Sequence, residues 1–407
     1  MNDECPKCRE YADKGSMFCG ACGRRLISNE CPRCKEYTDN GSMFCGACGR
    51  QLVSNECPRC REYAANGCSF CGACGRPLND LGPYVGPTQS YAPAPAKKQL
   101  GILESIFLVI SMAIIAIAVF EAVTMLVNFP DVFSFLPNLS VGIFVIVPFP
   151  HVLFYWGEAG LKIYWVLVVI IILLCLITAI YKFVTKAREP GGITRPDAAE
   201  NTAIFWVCIF LSANFFITLI VSIIVLSYGS DLSSPGFGIK LEQMFSMANA
   251  GVWEEIIARV MYIGVPMTII SLAIHRNKES LKCLLGGFEM SKTAVAFIII
   301  SGVIFGLAHY PGWGDQLWKV VTAGIMGMFL GYLFVRFGLY ASILLHFVND
   351  YLSSFDWMGI GWFSIYVSFL LMAIGAIAVI YILKRVWDFR GSLVPLPLFR
   401  GGCIKEK

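Results

Sequence analysis

Eight apolar stretches, at roughly 103–128, 162–185, 202–227, 244–274, 293–310, 317–336, 340–354 and 360–386, decide what this 407-residue chain can fold into. Crossing the hydrocarbon of a bilayer takes about 20 apolar residues. Inside lipid, a helix satisfies every backbone N–H and C=O within its own segment. The expected fold class is therefore an all-α polytopic membrane protein of about eight transmembrane helices. The fifth and seventh stretches are short, which suits helices surrounded by other helices instead of lipid. Composition agrees, with 57% hydrophobic and only 15% charged residues, far from a soluble average.

Basic residues sort the loops. Lys97 and Lys98 precede the first stretch, and Lys182, Lys186, Arg188 and Arg195 lie between the second and third. Arg276, Lys278, Lys282 and Lys292 follow the fourth, Arg336 the sixth, and Lys384, Arg385 and Arg390 the eighth. The intervening loops hold mainly Asp131, Glu158, Asp231, Asp315 and Asp356, with Lys162, Lys240 and Lys319 as isolated exceptions. Cytosolic loops carry the excess of Lys and Arg, so both termini are expected in the cytosol. The loop 129–161 is apolar from Val141 to Val147 and is expected to dip into the interface. Trp165, Trp206, Trp313, Trp318 and Trp362 near the ends of the stretches read as interfacial anchors. Pro266 is expected to kink the fourth stretch, and Gly324, Gly327 and Gly331 to allow close helix packing.

The first 76 residues repeat with a period of 26. Cys5 and Cys8, Cys31 and Cys34, and Cys57 and Cys60 head the three units. Cys19 and Cys22, Cys45 and Cys48, and Cys71 and Cys74 close them. Paired C-x2-C knuckles suit a tetrahedral zinc ion bound by four thiolates. The units resemble short zinc ribbons at 1–26, 27–52 and 53–78, giving three structural zinc sites. Each is too small to bury a core, so metal binding supplies the folding free energy. Cys68 replaces the Ser16 and Ser42 of the first two units and reads as a spare thiol. A disulfide framework would need an oxidising compartment, and the first residues show no leader that would export them. Eleven Lys and Arg against ten Asp and Glu up to Asp80, plus about two negative charges per filled site, make the module acidic. That disfavours nucleic acid and favours docking of a protein partner. A proline-rich linker follows over 79–100, then the membrane domain over 101–390 and a cytosolic tail over 391–407.

Within the apolar stretches a few polar residues stand out. Trp253-Glu254-Glu255-Ile256-Ile257-Ala258-Arg259 sets two carboxylates and a guanidinium inside the fourth. Intramembrane charges are costly and functional by default. Glu255 and Arg259 have i,i+4 spacing and are expected to pair, which leaves Glu254, about 100° around the helix, to face something else. His309 closes Phe305-Gly306-Leu307-Ala308-His309, and His346 lies four residues before Asp350 on one helix face. These groups cost least if they meet in one polar cavity. Such a cavity can hold water and a glutamate base, can simply tie helices together, or can carry protons through a transporter.

Glu254-Glu255-x-x-x-Arg259, Phe305-x-x-x-His309 and His346-x-x-x-Asp350, in that order, resemble the motifs of the CPBP intramembrane peptidases. That family contains the CAAX prenyl endopeptidases and the bacteriocin-processing or self-immunity proteins. The resemblance covers about 200–355. It implies that Glu254 activates the attacking water beside His309, that Glu255 and Arg259 support it, and that His346 and Asp350 stabilise the oxyanion or bind a metal. It also implies a peptide or protein substrate, prenylated in the CAAX branch, reached in the lipid bilayer. Glu and His suit zinc and a metal-free general base equally well, so a catalytic metal stays open. A non-catalytic adaptor or immunity-type protein with a structural polar cavity is the alternative. No H-E-x-x-H helix or G-x-S-x-G elbow supports another protease design.

Overall fold

The computed structural model describes residues 102–147, 149–189, 199–230, 232, 239–276, 278–314 and 316–389. The three ribbons with all twelve of their cysteines, the linker and the tail lie outside the described residues, as do Arg195, Asp231, Asp315 and Arg390.

Among the described residues, seven helices are long and apolar enough to cross a membrane. They are α1 (Ile102–Val127), α3 (Glu158–Arg188), α4 (Ala203–Ser227), a composite helix over Lys240–Ile274, α7 (Lys292–Gly312), α8 (Leu317–Phe337) and α11 (Gly361–Phe389). The chain is a polytopic helical membrane protein. The composite helix consists of α5 (Lys240–Glu255), a π-helical segment (Ile256–Gly264) and α6 (Val265–His275). Pro266 sits in the first turn of α6. Having no N–H to donate four residues back, it marks where the wide π register gives way to an α-helix.

The seventh stretch is the short one, as expected. Only α9 (Leu339–Tyr351), 13 residues long, forms there, about 20 Å of helix and too short to face lipid across a bilayer. Nine of its residues, including Phe347 and Tyr351, are buried, so protein and not lipid surrounds it. The short helix α10 (Ser354–Trp357) leads from it into α11.

The ends of the bundle differ in charge. At one end, Arg336 donates to the Glu200 carbonyl at 3.2 Å and to Asn201 Oδ1 at 3.1 Å, while Tyr381 donates to Glu200 Oε1 at 2.6 Å. Arg385 pairs with Glu200, and Lys182 lies 4.3 Å over the Tyr340 ring. Phe107 near the start of α1 packs against Phe205 and Tyr381 there, so α1 begins and α11 ends at this basic end.

Two expected interfacial tryptophans are instead core residues. Trp165 is wholly buried, packed on Phe245 at 5.5 Å, and Trp206 is buried with its indole N–H on the Glu200 carbonyl at 2.8 Å. Both lie on helix faces turned inward, which a lone tryptophan near a span end does not reveal. Trp362 is exposed. Glycine brings α7 and α8 together. A Cβ at Gly306 would fall 2.4 Å from the Val320 carbonyl oxygen, and one at Gly327 would fall 3.0 Å from the Gly302 Cα, so only hydrogen permits this approach.

The loop after α1 contains more structure than a helical reading anticipates. A short helix, α2 (Phe129–Phe135), precedes an antiparallel hairpin of β1 (Gly142–Ile146) and β2 (Pro150–Tyr155).

Candidate active site

Glu254 and Glu255 end α5 where the helix widens, and they point in different directions. Glu255 is fully buried. Its Oε2 accepts from Arg259 Nε at 3.1 Å, and Arg259 is equally buried. Arg259 Nη1 donates to Ser301 Oγ at 2.6 Å, and the serine hydroxyl donates to the Ala258 carbonyl at 2.6 Å. The expected pair therefore forms, tied to α7 through Ser301. The second glutamate oxygen has a use that spacing alone did not suggest: Glu255 Oε1 lies 2.9 Å from His346 Nδ1. Glu255 thus joins two motifs, neutralising Arg259 and orienting His346.

His346 completes the link. Its Nε2 lies 3.4 Å from Asp350 Oδ2, one turn along α9, and 4.0 Å from Glu254 Oε2. Asp350 Oδ1 accepts from Asn349 Nδ2 at 2.9 Å, and Asn349 Oδ1 accepts from Asn214 Nδ2 at 3.1 Å. His309 Nδ1 lies 2.8 Å from the Phe305 carbonyl. A ring nitrogen facing a carbonyl must be the protonated one, which leaves Nε2 with its lone pair free. The Phe305 ring explains its place in its motif. It meets His309 at 4.8 Å and His346 at 5.8 Å edge-on, and Arg259 lies over it at 4.8 Å.

Glu254, His309, His346 and Asp350 all border one cavity of about 710 Å³. The side chains of Glu254 and Asp350 are about one-fifth exposed to it, at 22% and 21%. The sequence reading thus finds its six residues in one place, four on the cavity and Glu255 and Arg259 behind it. The cavity also holds residues that reading missed or misplaced. Lys319, taken as an odd charge in a loop, opens α8 and lines the cavity with its ammonium 3.9 Å over the Trp313 ring. It is within electrostatic reach of both Glu254 and Asp350. Asn214 borders the cavity from α4. An amide amid Phe215, Phe216 and Ile217 on a spanning helix was the signal for it. Trp313 and Trp318 line the cavity as well and are not merely interfacial anchors.

Trp253 does not face this space. Its indole N–H donates to the Phe144 carbonyl at 3.1 Å, and the Tyr262 hydroxyl donates to the Ile146 carbonyl. The two side chains fasten β1 to the helix that carries Glu254. Phe144, Ile146 and Pro150 thereby become part of the cavity wall.

The fit of a metal depends on where the donors point. Zinc needs three protein ligands within about 2.0–2.2 Å. Among the described residues no three His, Cys, Asp or Glu side chains converge in that way. His346 Nδ1 and Glu255 are committed to each other and to Arg259, so a catalytic metal would have to be held by Glu254, Asp350 and the Nε2 atoms of His309 and His346, with Glu255 orienting His346 from behind.

Residues 239–352 match the family model described as type II CAAX prenyl endopeptidase Rce1-like, and residues 5–49 and 31–75 match the double zinc ribbon. No curated protein and no solved structure is a significant match.

Proposed function

We propose that this membrane protein, whose core belongs to the Rce1-like CAAX prenyl endopeptidases and whose amino-terminal part is a double zinc ribbon, hydrolyses a peptide bond with water activated by Glu254. The observation that carries this is the division of labour between adjacent glutamates. Glu255 is fully committed to Arg259 and His346, whereas Glu254 faces the cavity with no comparable partner at hydrogen-bond distance among the described residues.

Water held between Glu254 and His309 Nε2 loses a proton to the Glu254 carboxylate as its oxygen bonds to the carbonyl carbon. The negative charge then gathers on the former carbonyl oxygen. Both nitrogens of His346 face carboxylate oxygens, which only accept, so its ring is held in the doubly protonated form and can donate to that oxyanion from Nε2. Asp350 holds the ring in line and leaves the donating role to it, which is why an acidic residue serves at this position. Such donors contribute most where water is excluded and they are fixed in advance. The intermediate collapses with cleavage of the C–N bond, and Glu254 returns the proton to the departing amine. Lys319 offsets the charge of two carboxylates in one cavity.

The resemblance to CAAX prenyl endopeptidases points to a prenylated CAAX peptide as substrate, and the cavity, bounded by Phe305, Met326 and Trp318 as well as by charge, suits a chain with both lipid and peptide parts. The alternation of basic loops favours a cytosolic basic end and cytosolic termini, with the cavity nearer the opposite face, so the substrate chain reaches Glu254 from within the bilayer or from that face; the zinc ribbons are read as docking a protein partner. The direct test is mass spectrometry of an S-farnesyl CAAX peptide incubated with the protein in lipid nanodiscs. Release of the last three residues by the wild type and not by His309→Ala supports the reading. Equal release by both, or none by either across a panel of membrane-anchored peptides, overturns it in favour of an adaptor with a structural polar cavity.

A further inference from the structure

The hairpin of β1 and β2 lies where open strands are rarely found. Its inner strand is fastened by Trp253 and Tyr262, which bracket the middle of the 35-residue spanning helix Lys240–Ile274. Ile146 packs with Ile257 and Ala308, next to Ile304 and Met261, all inside spanning helices. The hairpin therefore reaches well below the membrane surface. All six residues of β2 are exposed, among them Val152, Leu153, Phe154 and Tyr155, so none of the described residues covers this strand.

Apolar side chains can face lipid; a free strand edge cannot do so cheaply, because its N–H and C=O groups find no partner in hydrocarbon. The direction of those groups follows from the ladder. The Phe144 and Ile146 carbonyls point away from β2, toward Trp253 and Tyr262. Phe144 is paired with Val152 and Ile146 with Pro150. Residues opposite each other in an antiparallel ladder turn their polar groups inward or outward together, so Val152 points its N–H and C=O outward. At the other end Trp156 N–H donates inward to the Val141 carbonyl at 2.9 Å, which leaves Tyr155 outward as well. The edge is usable from Val152 to Tyr155, with Leu153 as an extra, bulged residue between the pairs Phe144–Val152 and Ile143–Phe154. It ends at Pro150, which has no N–H to offer and which itself borders the active-site cavity.

We propose that β2 is the docking edge for the substrate polypeptide, which adds as an extended third strand beside Val152–Tyr155 and leaves the ladder at Pro150 to enter the cavity. Strand addition supplies the missing main-chain partners whatever the side chains are, and an extended chain is the form in which a peptide bond is presented to Glu254. The substrate class is thus a membrane-embedded or lipid-attached chain with an extended segment next to its cleavage site. This deepens the peptidase reading and rests on it.

The test measures binding of a fluorescent S-farnesyl CAAX peptide to the Glu254→Gln protein in nanodiscs, with an N-methyl group moved one residue at a time along the segment preceding the farnesylated cysteine. Strand addition predicts that binding weakens about tenfold at the residues whose N–H meets the β2 edge and little at the residues between them, an alternation broken only across the bulge at Leu153. Val152→Pro, which removes one outward donor, weakens binding by a similar factor and flattens the alternation. The N-methyl series on the unaltered hairpin decides the matter by itself if Val152→Pro does not fold. Equal effects at adjacent residues, no effect at all, or no binding of the peptide overturn the proposal. So does a Val152→Cys cross-link between two copies that the peptide leaves unchanged, since the edge would then be a dimer contact. Wild-type cleavage of the unmethylated peptide is followed separately. Cleavage without alternation sinks the docking edge alone, and alternation without cleavage sinks the peptidase reading alone.

Discussion

Arg259→Met tests whether the buried ion pair is what allows Glu255 to exist at membrane depth. In the native protein both groups are fully buried, 3.1 Å apart, with the guanidinium also donating to Ser301. Methionine fills much the same volume without charge. Ser301 keeps its bond to the Ala258 carbonyl, so the loss falls on Glu255, left to share the single His346 imidazolium with Asp350 and Glu254. Breaking a buried pair in this way costs about 3–5 kcal/mol, a large part of the roughly 5–15 kcal/mol that holds an ordinary fold together. Equilibrium unfolding in mixed micelles, followed by tryptophan fluorescence, measures it. Adding Glu255→Gln removes the stranded charge, so the double variant is expected to recover at least half of the loss, a coupling of about 1.5 kcal/mol or more. An Arg259→Met protein within about 1 kcal/mol of the wild type would refute the reasoning, as would a double variant no better than the single one.

Other perturbations reach other parts of the account. Gly306→Leu forces side-chain atoms into the Val320 carbonyl, only 2.4 Å from where even a Cβ would sit. It is expected to lower stability by about 1–3 kcal/mol in the same unfolding assay. Asn349→Leu cuts both hydrogen bonds of the amide relay between Asn214 and Asp350; a drop in kcat of about tenfold with little change in KM is expected from steady-state cleavage, matching loss of the one bond that reaches Asp350, about 1.4 kcal/mol. Trp253→Phe removes the donor to Phe144 and should raise KM several-fold while leaving kcat within about twofold, as loss of one hydrogen bond on a binding element implies. Native mass spectrometry should find three zinc ions per chain. Their removal should leave the thermal transition of the membrane part within a few degrees, since metal binding is coupled to the ribbons' own folding.

The sequence made the spanning helices legible because lipid imposes one simple demand on each of them. It made Glu255 and Arg259 legible through i,i+4 spacing. Contacts between distant segments left no such periodic trace. The bond from Glu255 to His346 joins residues 91 positions apart, and no local pattern announces it. The shortness of the seventh stretch hinted that α9 is surrounded by protein, but Leu344, Leu345 and Val348 look the same whether lipid or protein surrounds them, so its partners were not legible. The hairpin was hidden for a related reason. Val141–Val147 is apolar enough to enter the membrane, but only the tertiary anchors Trp253 and Tyr262 settle that it enters as a strand. Lys319 and Asn214 were visible as misfits, and the cavity gives both a setting.

The measurement closest to the central claim compares kcat for the S-farnesyl peptide among wild type, Glu254→Gln and Glu255→Gln, with Kd determined alongside for each. If Glu254 is the base, its replacement by the isosteric amide lowers kcat by about 10²–10⁴-fold with Kd nearly unchanged. Glu255→Gln, which disturbs the base only through His346, loses less activity and more stability. A Glu254→Gln protein that turns over within a few-fold of the wild type would contradict the account.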